Sequence, residues 1–128
     1  CQVPSKMYFD RKNYYYPDLP KGFQITQMHD PVGTNGHINV FVGDEIKKIE
    51  IHDIHLEEDT ASLDHYDNYS LIDYNRAGIP LLETVTEPCM HSADEALAFL
   101  DALRKIFIYC DINNAFSRNN SAPYVITS

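Results

Sequence analysis

Two stretches of alternating polarity, His37–Val42 and Ile46–Leu56, flank Gly43-Asp44, and this arrangement constrains the fold more than any other feature. A two-residue loop able to take positive φ joins antiparallel strands and fixes their register. The second arm then breaks its own period. Ile49 and Ile51 share one strand face, while Ile54 and Leu56 fall on the other. If all four are to face one core, an extra residue must be absorbed near His52-Asp53, as a β-bulge does. Beyond the break, Glu58 shares a face with Ile54 and Leu56, and His55 and Glu57 point the other way.

Phe23–Gln27 alternates as a half-buried strand. Asp18–Gly22 and Gly33-Thr34-Asn35-Gly36 read as turns, and Thr60–Asn68 as a polar loop. Leu71–Tyr74 and Leu81–Thr86 are further strands, and Pro88 stops the second. Ser92-Ala93-Asp94-Glu95 forms a capping box, and Ala96, Leu100, Leu103 and Phe107 follow at helical spacing. The pattern predicts a helix over Ala93–Tyr109 and a terminal strand at Tyr124–Ile126. Several strands with one good helix make an α+β domain with a mainly antiparallel sheet.

At 128 residues the chain is expected to be one domain. Ten basic against nineteen acidic side chains leave a formal charge of −9, which argues against a chain that grips nucleic acid unaided. A carboxylate-rich surface still accepts phosphates once divalent ions invert the local charge. No apolar run approaches a membrane span, and no leader is recognisable. Cys1, Cys89 and Cys110 are odd in number and lack CxxC spacing, so free thiols are expected rather than a disulfide framework or a zinc site.

Glu83 is the sharpest single residue. Period 2 places it in a row with Leu81 and Val85, where a carboxylate is costly unless paired, hydrogen-bonded or metal-bound. A partly wet edge strand explains it; so does a ligand or acid at a cavity floor. Glu58 repeats the pattern from another strand. Two inward carboxylates on neighbouring strands suit Mg²⁺, and equally acid–base hydrolysis. His52-x-x-His55 has zinc-like spacing, but residues three apart on a strand face opposite sides, so both read as structural or surface histidines. Arg11, Lys12 and Lys21, interleaved with Tyr14–Tyr16, read as an aromatic cluster, with base stacking the other possibility.

Four ordered blocks carry a family resemblance. They are Asp10-Arg11-Lys12-Asn13-Tyr14-Tyr15-Tyr16-Pro17-Asp18, Phe23-Gln24-Ile25-Thr26-Gln27, His55-Leu56-Glu57-Glu58-Asp59, and the long block from Ser70 through Asp73-Tyr74-Asn75-Arg76-Ala77-Gly78 to Glu83. Together they resemble the B subunit of the bacterial and organellar glutamyl/aspartyl-tRNA amidotransferase, whose archaeal relative is the E subunit. The resemblance covers residues 5–107 of a partial catalytic (cradle) domain, with 113–128 a divergent tail. It implies a ligase that makes Gln-tRNA from Glu-tRNA or Asn-tRNA from Asp-tRNA. Mg–ATP phosphorylates the side-chain carboxylate, and ammonia arriving through a tunnel displaces the phosphate.

The resemblance also implies residue roles. Glu58 and Glu83 match metal-binding carboxylates; Lys12, Lys21 and Glu58 match polar tunnel positions; Arg76 sits in the signature turn, facing substrate or phosphate or else stabilising the turn. Mg²⁺ and ATP are the implied cofactor and substrate. The family's zinc-binding cysteines, and a first strand with further ligands, would lie before Cys1, so no zinc site is expected within these residues. A downstream Asp ligand has no counterpart in Asn113–Arg118. The implied partners are an amidase subunit, a small tethering subunit, and aminoacylated tRNA held mainly by other domains, in the bacterial cytoplasm, mitochondrion or plastid and away from membranes. The fragment alone is expected to be inactive. The alternative is a decayed, non-catalytic paralogue that keeps a docking surface.

Overall fold

The computed structural model describes residues 1–112. Its elements run β1 (Asp10–Asn13), β2 (Phe23–Thr26), β3 (Gly33–Val42), β4 (Glu45–Glu58), β5 (Ser62–His65), β6 (Ser70–Asp73), β7 (Pro80–Thr86) and α1 (Ala93–Tyr109). This is an α+β arrangement: β1 pairs with β2, β5 with β6, and β3-β4-β7 form a three-stranded sheet. The β1–β2, β4–β7 and β5–β6 ladders are all antiparallel. The terminal strand expected at Tyr124–Ile126 lies outside the described residues.

The chain groups into two compact units. The first comprises Cys1–His37 and Glu50–Pro88. Its buried side chains include Leu19, Ile51 and Ala61, with the polar Gln24, Thr26 and Gln27. The second comprises Ile38–Ile49 and the chain from Cys89 onward. There Val40, Ile49, Phe99 and Leu103 are buried, and Lys47 Nζ lies 2.9 Å from Glu95 Oε1.

The β3–β4 turn falls where Gly43-Asp44 places it, with Gly43 at φ 61°. The parity break is resolved as the sequence requires. The β4–β7 register pairs Ile51 with Thr86 and Asp53 with Val85, so His52 is the extra residue of a bulge. On β3, a Cβ added at Gly36 would lie 3.5 Å from that of Ile51, and one at Gly33 3.8 Å from that of Ile54. Both isoleucines therefore face the same side, over backbone that carries no side chain.

Residues 33–36 are strand, not the turn expected there: they open β3, and the close neighbour of Gly36 is the Cys1 side chain, whose Sγ occupies the space a Cβ would take. The polar stretch 60–68 likewise contains β5. Tyr66 N–H donates to Tyr69 O at 2.9 Å and the two rings stack at 4.9 Å, closing a hairpin that composition alone hides. β1 arises within an aromatic and charged segment because β2 offers it a pairing edge.

Helix α1 begins at Ser92 as expected, but the reciprocal half of the capping box reaches one residue further back, to His91 rather than Ser92. Ser92 Oγ accepts from Glu95 N–H at 3.2 Å, and Glu95 Oε2 accepts from His91 N–H at 2.8 Å. Ser92→Ala is expected to lower stability by about 1 kcal/mol, and Ser92→Asp to leave it near the starting value, measured by denaturant unfolding followed through helical circular dichroism.

Candidate active site

The bulge determines which side chains meet. Past His52, period 2 puts Asp53, His55 and Glu57 on one face of β4, and Ile54, Leu56 and Glu58 on the other. His55 lies directly opposite Glu83 of β7. The result is a cluster of His55, Glu57 and Glu83, whose ligand atoms all lie within 4.8 Å of one another. His55 Nε2 is 3.7 Å from Glu57 Oε2 and 3.8 Å from Glu83 Oε2, and its Nδ1 is 2.8 Å from Asp53 Oδ1. Thr26 Oγ1 donates to Glu57 Oε2 at 3.3 Å. These groups, with Lys12, line a cavity of about 350 Å³.

The electrostatics follow from crowding two carboxylates together. Glu57 is 10 % exposed and Glu83 43 %. Burial, then the neighbouring Glu57 charge, raises the Glu83 pKa above the ordinary carboxyl value; His55 and Lys12 oppose this. Burial also acts to raise Glu57, but the neighbouring His55 and Glu83 side chains and the Thr26 hydroxyl outweigh it and hold its pKa low. His55 is raised to about 9, first by the Glu57 carboxylate beside it, against the cost of burial, and further by Asp53 and Glu83. The imidazolium thus supplies the cation that two adjacent carboxylates require.

The donor set fits a divalent cation. Mg²⁺ takes oxygen ligands, commonly one or two carboxylates completed by water and phosphate, and Glu57 and Glu83 offer that pair in an open cavity. The imidazole is the donor Mg²⁺ uses least, and suits a transition metal better.

The residues singled out by sequence separate into two groups. Glu83 is in the cluster, and Lys12 lines its cavity. Glu58 does not share the cavity floor with Glu83: the register places it opposite Pro80, one step out of phase, on the other face. There its carboxylate meets Lys21 Nζ at 2.5 Å and accepts from Ile25 N–H at 2.9 Å. Arg76 Nε pairs with Asp59 Oδ2 at 2.9 Å, pinning the signature turn to the segment after β4. His52 is at the surface, 2.9 Å from Glu87 Oε1. Cys1, Cys89 and Cys110 form no disulfide. The sequence reading missed His55 and Glu57. Their spacing on one strand face was visible, but their partner was not.

The Lys21–Glu58 pair carries a pH signature. Burial opposes ionisation of Glu58, but the hydrogen bonds from Lys21 and Ile25, with the Lys21 charge, depress its pKa. A depressed carboxyl stabilises the fold above its unfolded pKa, and that contribution is lost as pH falls through the folded value. With the Lys21 side chain 44 % exposed, Glu58→Gln is expected to cost only about 1 kcal/mol at neutral pH. The variant should also lose part of the acid limb of the stability–pH curve. Urea unfolding between pH 3 and 7 checks both.

Known proteins match most of the length of this chain. The family model described as the GatB/GatE catalytic domain matches residues 1–118. The chain is 54% identical over 105 residues to the B subunit of the aspartyl/glutamyl-tRNA(Asn/Gln) amidotransferase of Mycoplasmopsis synoviae, covering 82% of this chain and 22% of the relative. It is 47% identical over 115 residues to the protein of the same name from Persephonella marina, covering 90% and 24%. The chain therefore spans about a quarter of the length of the curated relatives it matches. With nearly its whole length matched by that family model, the chain belongs to the GatB/GatE catalytic domain family.

Proposed function

We propose that this chain forms the metal- and phosphate-handling part of a tRNA-dependent amidotransferase. The reaction converts Glu-tRNA(Gln) to Gln-tRNA(Gln), or Asp-tRNA(Asn) to Asn-tRNA(Asn). ATP phosphorylates the side-chain carboxylate of the esterified amino acid, and ammonia then displaces the phosphate. The observation that carries the reading is the His55–Glu57–Glu83 cluster in an open cavity of a catalytic-domain family member.

In this reading Glu57 and Glu83 would hold Mg²⁺, with His55 beside them, and the bound ion would supply positive charge against the phosphates during transfer. The chain's own residues do the rest by position. Thr26 orients Glu57. Lys12 faces the same cavity and sets a second positive charge against the phosphates. Lys21 and Glu58, joined as an ion pair on the other sheet face, are assigned to the ammonia path, together with Lys12. The amidase and tethering subunits and the tRNA-holding domains complete the enzyme, in a bacterial cytoplasm or an organelle. Among the described residues no helix is long and apolar enough to cross a membrane.

The test is Glu83→Gln in the full-length protein assembled with its partner subunits. ATP-dependent phosphorylation of Glu-tRNA is expected to fall by roughly 100-fold or more, because one of two carboxylate ligands is lost. Glutamine hydrolysis by the amidase should persist. Undiminished phosphorylation would remove Glu83 from the metal site and, with it, the reading.

A further inference from the structure

One close contact in the cavity has no role in the function proposed above. Asp53 Oδ1 lies 2.8 Å from His55 Nδ1, and the two side chains are 19 % and 15 % exposed. They sit two residues apart on one face of β4, just past the bulge. The other ring nitrogen, Nε2, faces Glu57 and Glu83 at 3.7 and 3.8 Å. A carboxylate that accepts from one imidazole nitrogen places the proton there. It also fixes the ring plane and makes the opposite nitrogen the one that releases its proton to solvent when a cation takes its place.

We propose that Asp53 is a positioning residue, which holds the Nδ1–H of His55 so that Nε2 is presented to the Glu57–Glu83 pair as a third ligand for a divalent cation. The inference rests on the metal reading of this site but concerns a residue that reading leaves unused. The alternative partners of Asp53 are weak: His52 Nε2 is 3.8 Å from its Oδ2, beyond hydrogen-bond reach, and the His52 ring is engaged by Glu87 at 2.9 Å. Asp53 is thus left to His55. The side chain opposite it on β7 is Val85, which offers no polar competitor.

The test uses the full-length protein carrying ¹⁵N-labelled histidine rings, with the His55 signals identified by their absence in His55→Gln. In metal-free wild type, the His55 Nδ1 resonance should report a proton held by a carboxylate, and Asp53→Ala should abolish that signature. Asp53→Asn, nearly isosteric, replaces alanine if the strand fails to fold. Mn²⁺, followed by its electron paramagnetic resonance, is the metal probe. Asp53→Ala is expected to weaken its binding about 10–100-fold, and to add nothing further when His55 is already glutamine. Unchanged ring signals in the variant overturn the proposal. So does an equal loss of Mn²⁺ affinity with and without His55, which would mean that Asp53 acts by its charge alone. If wild type binds no Mn²⁺, the metal reading fails and the presentation of a ligand fails with it. The ring signals then still decide whether Asp53 orients His55.

Discussion

Everything at the candidate site depends on one extra residue in β4. In a regular strand, Asp53, His55 and Glu57 would share the face of Ile49 and Ile51, and Ile54 and Leu56 would point away from it. The bulge at His52 reverses this. It keeps Ile51 and Ile54 on one side, above the bare backbone of Gly36 and Gly33. The same step delivers three ionisable side chains together to the opposite face, next to Glu83. A one-residue change in pairing thus separates the apolar requirement from the polar one.

The polar face would repel itself without a cation. Glu57 and Glu83 are drawn into one site by the ladder, and burial removes much of the water that would screen them. His55, which the ladder sets opposite Glu83, is held protonated by the pair it neutralises. Each group shifts the others, so the three behave as one unit. A divalent cation supplies the same charge balance. The cluster is thus charge-balanced within the chain, and its two carboxylates suit a divalent cation.

Buried amides brace the strand that carries the site. Gln24 Nε2 donates to Glu58 O at 2.8 Å, and Gln27 Oε1 accepts from Leu56 N–H at 2.9 Å. Both glutamines are almost fully buried. They satisfy backbone groups of β4 and so attach β2, and the residue just after it, to the end of that strand. Thr26, between them, reaches Glu57, and Ile25 N–H reaches Glu58. One four-residue strand therefore contacts both faces of the end of β4. Glu58 is held on one of them and Glu57 on the other.

Much of this was legible in the sequence because it depends on neighbours in the chain. The Gly43-Asp44 turn, the parity break with its bulge, and the capped helix over Ala93–Tyr109 are local or periodic features. Even the alternation of His55 and Glu57 against Glu58 followed from period 2. The partner of Glu83 did not. Strand register is a long-range quantity, and shifting it by one residue exchanges Glu58 for Glu57 at the site. The glycines at 33 and 36 and the polar strand β5 were misread for the same reason: they are strand because of pairing within their sheets, which the local sequence does not show. The chain by itself determined which residues alternate, where it turns and which family it resembles. The tertiary structure alone decided which carboxylates meet, because hydrogen bonding between β4 and β7 sets their relative phase.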